Sequence, residues 1–169
     1  HRVVSRPLRL PTQITVNLTG RLNMSSSDDD LKFAPVPVEM IDTFWDKALE
    51  YLQPAIDTAE GKIKAYDLYV DCQMSNSVLW LVIDGSEIIA ALTTRIVTYP
   101  NKRGYALEFL GGKQMKRWFN LVLDTLEEVA KHNDCTHFEA YGRKGWQRWL
   151  EKRDFKPKFV HYEMEFKDG

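Results

Sequence analysis

The chain predicts an α/β fold with one mixed sheet, an antiparallel meander followed by a parallel crossover, flanked by helices. Three observations predict it. Apolar residues recur at helical spacing between Ile41 and Met74. Two apolar, β-branched runs then flank Asp84-Gly85-Ser86, which is a strong hairpin signal. After Tyr105 a strand pattern, a long amphipathic helix and another strand follow in order. Strands joined through a helix are expected to lie parallel with a right-handed connection.

Taken in order, residues 1–37 read as an extended or flexible segment and 38–169 as one domain. Gln13 to Leu22 alternates apolar and polar residues, a possible short strand. Met24 to Asp30 is a solvated run with nothing to bury. Met24 is either a natural start or an internal methionine of an ordinary tail. Pro35 and Pro37 mark an extended entry. Ile41, Phe44, Trp45, Ala48, Leu49 and Leu52 form one helical stripe, and Pro54 is expected to end or kink that helix. A second helix is expected over Lys62 to Met74, after Gly61.

The period then changes. Val78 to Ile83 and Ile88 to Tyr99 read as a hairpin, and Tyr105 to Leu110 as a third strand after the Pro100 to Gly104 turn. Gly111-Gly112 reads as a bend that opens a helix from Lys113 to His132. Met115, Trp118, Phe119, Val122, Leu126 and Val129 would form its buried face. Thr136 to Tyr141 returns as a strand, Lys144 to Arg153 as a short helix, and Phe159 to Phe166 as an alternating closing strand.

Composition narrows the function classes. At 169 residues the chain suits one domain with a sizeable core. Its net charge of −1 gives no global attraction to nucleic acid or anionic membrane. No apolar run approaches the roughly 20 residues that span a bilayer. Cys72 and Cys135 lack ligand or redox spacing and read as buried thiols of a cytoplasmic protein. Asn17-Leu18-Thr19 matches a glycosylation acceptor, which means nothing without secretion. His132, Cys135 and His137 straddle a helix end and a strand, so no metal site is expected from them. Arg143 to Lys158 is basic and interrupted by Trp146 and Trp149; a solvated helix face with tryptophans in the core explains it better than nucleic-acid binding.

The order helix, helix, three strands, helix, strand, helix, strand, closing on Trp149-Leu150-Glu151-Lys152-Arg153-Asp154-Phe155, resembles the GNAT superfamily of N-acetyltransferases across about residues 38–166. In its compact, divergent style it is also similar to versions of that fold encoded by bacteriophages. The resemblance implies acetyl-CoA as cofactor and a small-molecule or protein amine as acceptor. It also implies a V-shaped gap between neighbouring parallel strands. The cofactor would be held by Leu110, Gly111, Gly112, Lys113, Gln114, Lys116 and Arg117 at the strand-to-helix turn, with Arg143 nearby. Unpaired amides and the positive end of a helix favour an anion.

By the same resemblance Glu108 would be the general base, which requires a partly desolvated carboxylate; alternation would set it beside Ala106 and Leu110. Tyr141 would substitute as proton donor to the departing thiolate. The chain departs from the family pattern in three places. The phosphate loop is reduced to Gly111-Gly112-Lys113-Gln114, Leu150 stands at the usual Tyr position, and Asp154-Phe155 replaces Gly-Phe. The competing expectation is a non-catalytic member that uses the scaffold for protein contacts. The alternating last strand and exposed aromatics would permit a homodimer.

Overall fold

The computed structural model of the chain describes residues 8–9, 16–17, 31–142 and 144–167. Six strands form one sheet in sequence order: β1 (Val16–Asn17), β2 (Leu31–Pro35), β3 (Val78–Asp84), β4 (Glu87–Thr98), β5 (Arg103–Gly112) and β6 (His137–Ala140). Neighbours from β1 to β5 are antiparallel, and β6 lies parallel to β5. The expected mixed sheet is therefore present. Within Gln13 to Leu22, Val16–Asn17 forms a strand; the rest of that stretch and the Met24 to Asp30 run lie outside the described residues.

The segment before Val38 contributes to the core. β2 inserts between β1 and β3, with Leu31 and Phe33 fully buried and Phe33 stacked on Trp80 at 4.9 Å. The alternation Leu31-Lys32-Phe33 carries that signal, although Pro35 masks it.

α1 (Ile41–Asp57) and α2 (Ala65–Gln73) cover one face of the sheet, where Ile41, Ala48, Leu52, Leu68 and Cys72 pack on Leu79, Leu81 and Ala91. Pro54 neither ends nor interrupts α1, contrary to expectation. It falls near the helix end, where its missing N–H deprives one carbonyl, and buried Ile56 anchors the last turn. Asp67 accepts the Lys64 N–H at 2.9 Å and caps α2. Burial on this face pushes the Cys72 thiol up to about 12, with Glu108 and Asp71 adding to the effect.

α3 (Met115–His132) covers the opposite face, setting Trp118, Phe119, Val122 and Leu126 against Phe33, Trp80, Leu92 and Tyr105. Within this core the Trp80 indole donates to Thr94 Oγ1 at 2.8 Å, and Thr94 bonds the Tyr105 hydroxyl at 3.0 Å. α4 (Gln147–Glu151) lies against α3 through Trp149 and Phe119, 5.2 Å apart, and Arg153 reaches Asp124 at 2.7 Å. Trp146 and Trp149, expected in the core, are half-buried instead.

The expected closing strand over Phe159 to Phe166 is corrected. That segment joins no strand, and Phe159, Val160, Tyr162, Met164 and Phe166 are 73–94% exposed. Among the described residues β6 is consequently the outer strand of the sheet.

Candidate functional site

The site arises from unequal strand lengths. β6 pairs with β5 from Gly104 to Leu107 and stops at Ala140, whereas β5 continues to Gly112. From Glu108 to Gly112 the β5 backbone has no strand partner on that side among the described residues. A bulge marks where the strands part: Thr94 pairs with Leu107 and Thr93 with Phe109, leaving Glu108 as the extra residue.

Beyond the bulge the alternation of antiparallel bonding fixes where the amides point. The Lys113 N–H donates to the Ile89 carbonyl at 2.9 Å, and Gly111 pairs with Ala91. The N–H and C=O groups of Phe109 and Gly111 thus face β4, while those of Leu110 and Gly112 face the gap. The gap opens into a cleft of about 530 Å³. Glu50, Tyr51 and Pro54 of α1 line one side, Leu110, Gly111 and Gly112 its floor, and Met115, Gly145, Trp146 and Trp149 the other side. The two indole rings form a wall and leave the cleft open.

The glycine pair was expected at the bend between strand and helix and lies instead within β5, opposite Ala91 and Ala90. Close packing explains the choice of residue. A Cβ on Gly111 would fall under 3.0 Å from the Tyr51 carbonyl oxygen, and one on Gly112 would lie 2.7 Å from the Ile89 carbonyl oxygen. The chain turns one step later, at Gln114, the N-cap of α3, with φ 60° and ψ 41°. The Met115 and Lys116 amides of the first helical turn have no intrahelical carbonyl to bond.

The expected cations divide. Lys113 pairs with Glu87 at 2.7 Å, which raises the lysine's pKa, and Arg117 pairs with Asp84 at 2.9 Å while bonding Gln114 Oε1. Their charge is already balanced by the β3–β4 hairpin. Lys116 is exposed, with no ion pair among the described residues. Arg143 lies outside the described residues.

Glu108 keeps the face of Ala106, whose ladder partner Arg95 it bonds, but not that of Leu110, because the bulge breaks the alternation beyond it. It shares the α2 face with Phe109, while Leu107 and Leu110 pack toward α3. Its Oε1 accepts from Ser77 Oγ at 2.8 Å and its Oε2 from Arg95 Nε at 3.1 Å. Arg95, 10% exposed, also reaches Asp71 of α2 at 2.5 Å. Tyr141 follows the last residue of β6 and is 94% exposed, with no hydrogen bond among the described residues. Leu150 packs over Gly142, where a Cβ would meet its Cδ1 at 2.9 Å. Asp154 takes a left-handed φ of 66°, the conformation a glycine there adopts freely. His137 hydrogen-bonds Glu139 at 2.7 Å and does not converge with His132 and Cys135 on one point.

Glu50, Tyr51, Pro54, Met115, Trp146 and Trp149 were not read from the sequence as site residues. A proline inside a strong helical stripe and two tryptophans on a short basic helix are the signals they left.

No protein-family pattern matches the chain, and no curated protein is similar to it in sequence. Solved structures are similar in fold. An aminoglycoside acetyltransferase from an uncultured soil metagenomic sample, in complex with sisomicin, superimposes with a TM-score of 0.60 at 14% identity, covering 84% of this chain and 100% of that one. Ribosomal-protein-alanine N-acetyltransferase from Brucella melitensis biovar Abortus 2308 gives 0.61 at 11%, covering 80% and 99%. Glucosamine-6-phosphate N-acetyltransferase from Arabidopsis thaliana gives 0.56 at 13%, covering 80% and 98%. The chain has the mixed-sheet fold of the GNAT acetyltransferases. Among the described residues no helix is long and apolar enough to cross a membrane.

Proposed function

We propose that the chain is an acyl-CoA-dependent N-acyltransferase, with acetyl-CoA as donor and an amine as acceptor. The observation that carries this reading is the cleft where β5 outruns β6. Its residues suit an extended cofactor with an anionic end. The Leu110 and Gly112 amides offer hydrogen bonds along the strand, and the first turn of α3 carries no acidic residue. Its free amides, with Lys116 beside them, favour phosphate oxygens. Acetyl-CoA, when bound, would supply the thioester: the amine, once its proton has passed to cleft water, would bond the acyl carbon as the carbon–sulfur bond breaks, and the departing thiolate would take its proton from Tyr141.

The chain's own residues would divide the work. The Leu110 amide, aimed into the cleft, polarises the acyl carbonyl. Glu50, on the α1 side, draws a cationic amine toward the acyl group. Tyr141 donates a proton to the leaving sulfur. Glu108 acts as a positioning residue, since both of its oxygens are engaged in holding the bulge.

Acetyl-CoA at 100 times its dissociation constant is expected to stabilise the folded chain by about 2.7 kcal/mol, a rise in melting temperature of roughly 5–11 °C. Lys116→Glu should weaken that binding about tenfold, since charge at a helix N-terminus sets anion affinity. Calorimetric titration checks both, and an unshifted melt at saturating acetyl-CoA would leave the fold as a protein-contact module. For Tyr141, the Tyr141→Phe variant should lower kcat at least tenfold with little change in KM, as loss of a positioned acid does. An unchanged kcat assigns the proton to solvent water.

A further inference from the structure

We propose that Phe159 to Phe166 is an exchanged strand, and that it adds to the outer edge of β6 in a second copy of this chain. Its sequence has two faces. Val160, Tyr162, Met164 and Phe166 make one, and His161, Glu163, Glu165 and Lys167 the other. Such alternation belongs to a strand with one covered side. Here it forms no helix and joins no sheet among the described residues, and the four apolar residues are 73–87% exposed. An unpaired, alternating strand with an apolar face is a ready template for pairing.

The matching edge is on the same chain. β6 pairs with β5 on one side and, among the described residues, with no strand on the other. Its residues alternate in the same phase: Phe138 and Ala140 against His137 and Glu139. Phe138 faces the α3 side, stacked on Phe155 at 5.8 Å, whereas Glu139 turns to Tyr99 at 2.8 Å. One register therefore sets the apolar stripe beside Phe138 and Phe155, and the polar stripe beside His137 and Glu139.

The segment does not use its own β6. After Phe155 it runs to the α1–α2 loop, where Glu163 pairs with Lys62, and it leaves its rings in solvent. A foreign strand would cover β6 but leave Phe159 to Phe166 bare. A second copy satisfies both elements at once through a two-fold, isologous contact. The area suffices: Tyr162 and Phe166 of two copies bury roughly 600–1,000 Å² as rings alone. Val160, Met164 and the added backbone bring this toward the 1,200–2,000 Å² of a stable interface.

The test combines light scattering after size exclusion with amide hydrogen exchange on the full chain. The expected result is twice the monomer mass across a wide concentration range, with slowed exchange at 138–140 and 160–166. Tyr162→Asp with Met164→Asp should give a monomer whose circular dichroism is otherwise unchanged. If that variant fails to fold, Phe166→Asp alone should raise the dissociation constant at least tenfold. Three results overturn the proposal: a monomeric full chain, a dimer that survives these substitutions, or protection of 160–166 in a monomer.

Discussion

Gly111→Ala is expected to lower stability by about 3 kcal/mol or more, the upper range for forcing atoms into a filled core. The reason lies in what the missing side chain touches. Gly111 sits in the β4–β5 ladder opposite Ala91, and α1 crosses directly above it. A Cβ there would fall under 3.0 Å from the Tyr51 carbonyl oxygen and 2.8 Å from the carbonyl carbon. Both are backbone atoms of a helix, so no rotamer change relieves the contact. Either α1 lifts or β5 bows away from it. Lifting α1 strains the bond from the Tyr51 hydroxyl to the Ile88 carbonyl, 2.9 Å long, and loosens Leu52 and Ile56 from their core. For a chain of this length the loss corresponds to a drop in melting temperature of roughly 6–12 °C. Thermal and denaturant unfolding read it directly. A variant that melts like the parent would show that α1 does not rest on this strand.

The reason for this glycine marks where sequence reading succeeded and where it stopped. Local signals were legible: the Asp84-Gly85 hairpin, the helical stripes and the crossover all follow from neighbours in the chain. The Gly111-Gly112 pair was also noticed, but its cause is close contact with Tyr51 for Gly111, sixty residues earlier, and with Ala90 and Ile89 for Gly112. Spacing alone reads two glycines before a helix as a bend. The faces of Phe109 and Leu110, just past Glu108, were misjudged because a bulge shifts strand phase by one residue, and a bulge depends on the partner strand. The same dependence explains the cleft. Unequal lengths of β5 and β6 create it, and α1 closes one side. Pro54 was read as ending or kinking the helix, not as part of a helix that walls a cleft.

The cation cluster shows a related gap. Lys113, Lys116 and Arg117 look alike in the sequence, yet Glu87 and Asp84 neutralise two of them from across the hairpin. The C-terminal stretch shows the converse. Its alternation reads as strand, but pairing needs an edge, and the stretch forms no strand in the structure. In one copy the chain carries it toward Lys62 instead.

Replacing Glu108 with Ala should cost about 2–3 kcal/mol, since truncating one partner of a buried ion pair leaves the other charge short of its bonds. Arg95 is the group left short. Its Nε loses the Glu108 carboxylate, and its other end keeps Asp71 at 2.5 Å and Ser77 at 3.1 Å. That residual pairing holds the cost below that of an isolated buried charge. Glu108→Gln preserves the shape and one acceptor, so its cost should be nearer 1 kcal/mol. The kinetic result separates two roles for the same side chain. As a positioning residue, Glu108 shapes the bulge that aims the Leu110 amide into the cleft. Both variants should then raise KM for acetyl-CoA and lower kcat in proportion to lost order, with the pH profile unchanged in form. As a general base, Glu108 would give Glu108→Gln a profile without its acid limb while the structure stays intact. Crossing Glu108→Ala with Arg95→Ala adds a readout independent of turnover. A coupling energy of at least about 1 kcal/mol is expected for two groups in one network, and additive effects would dissolve the clamp between α2 and the bulge.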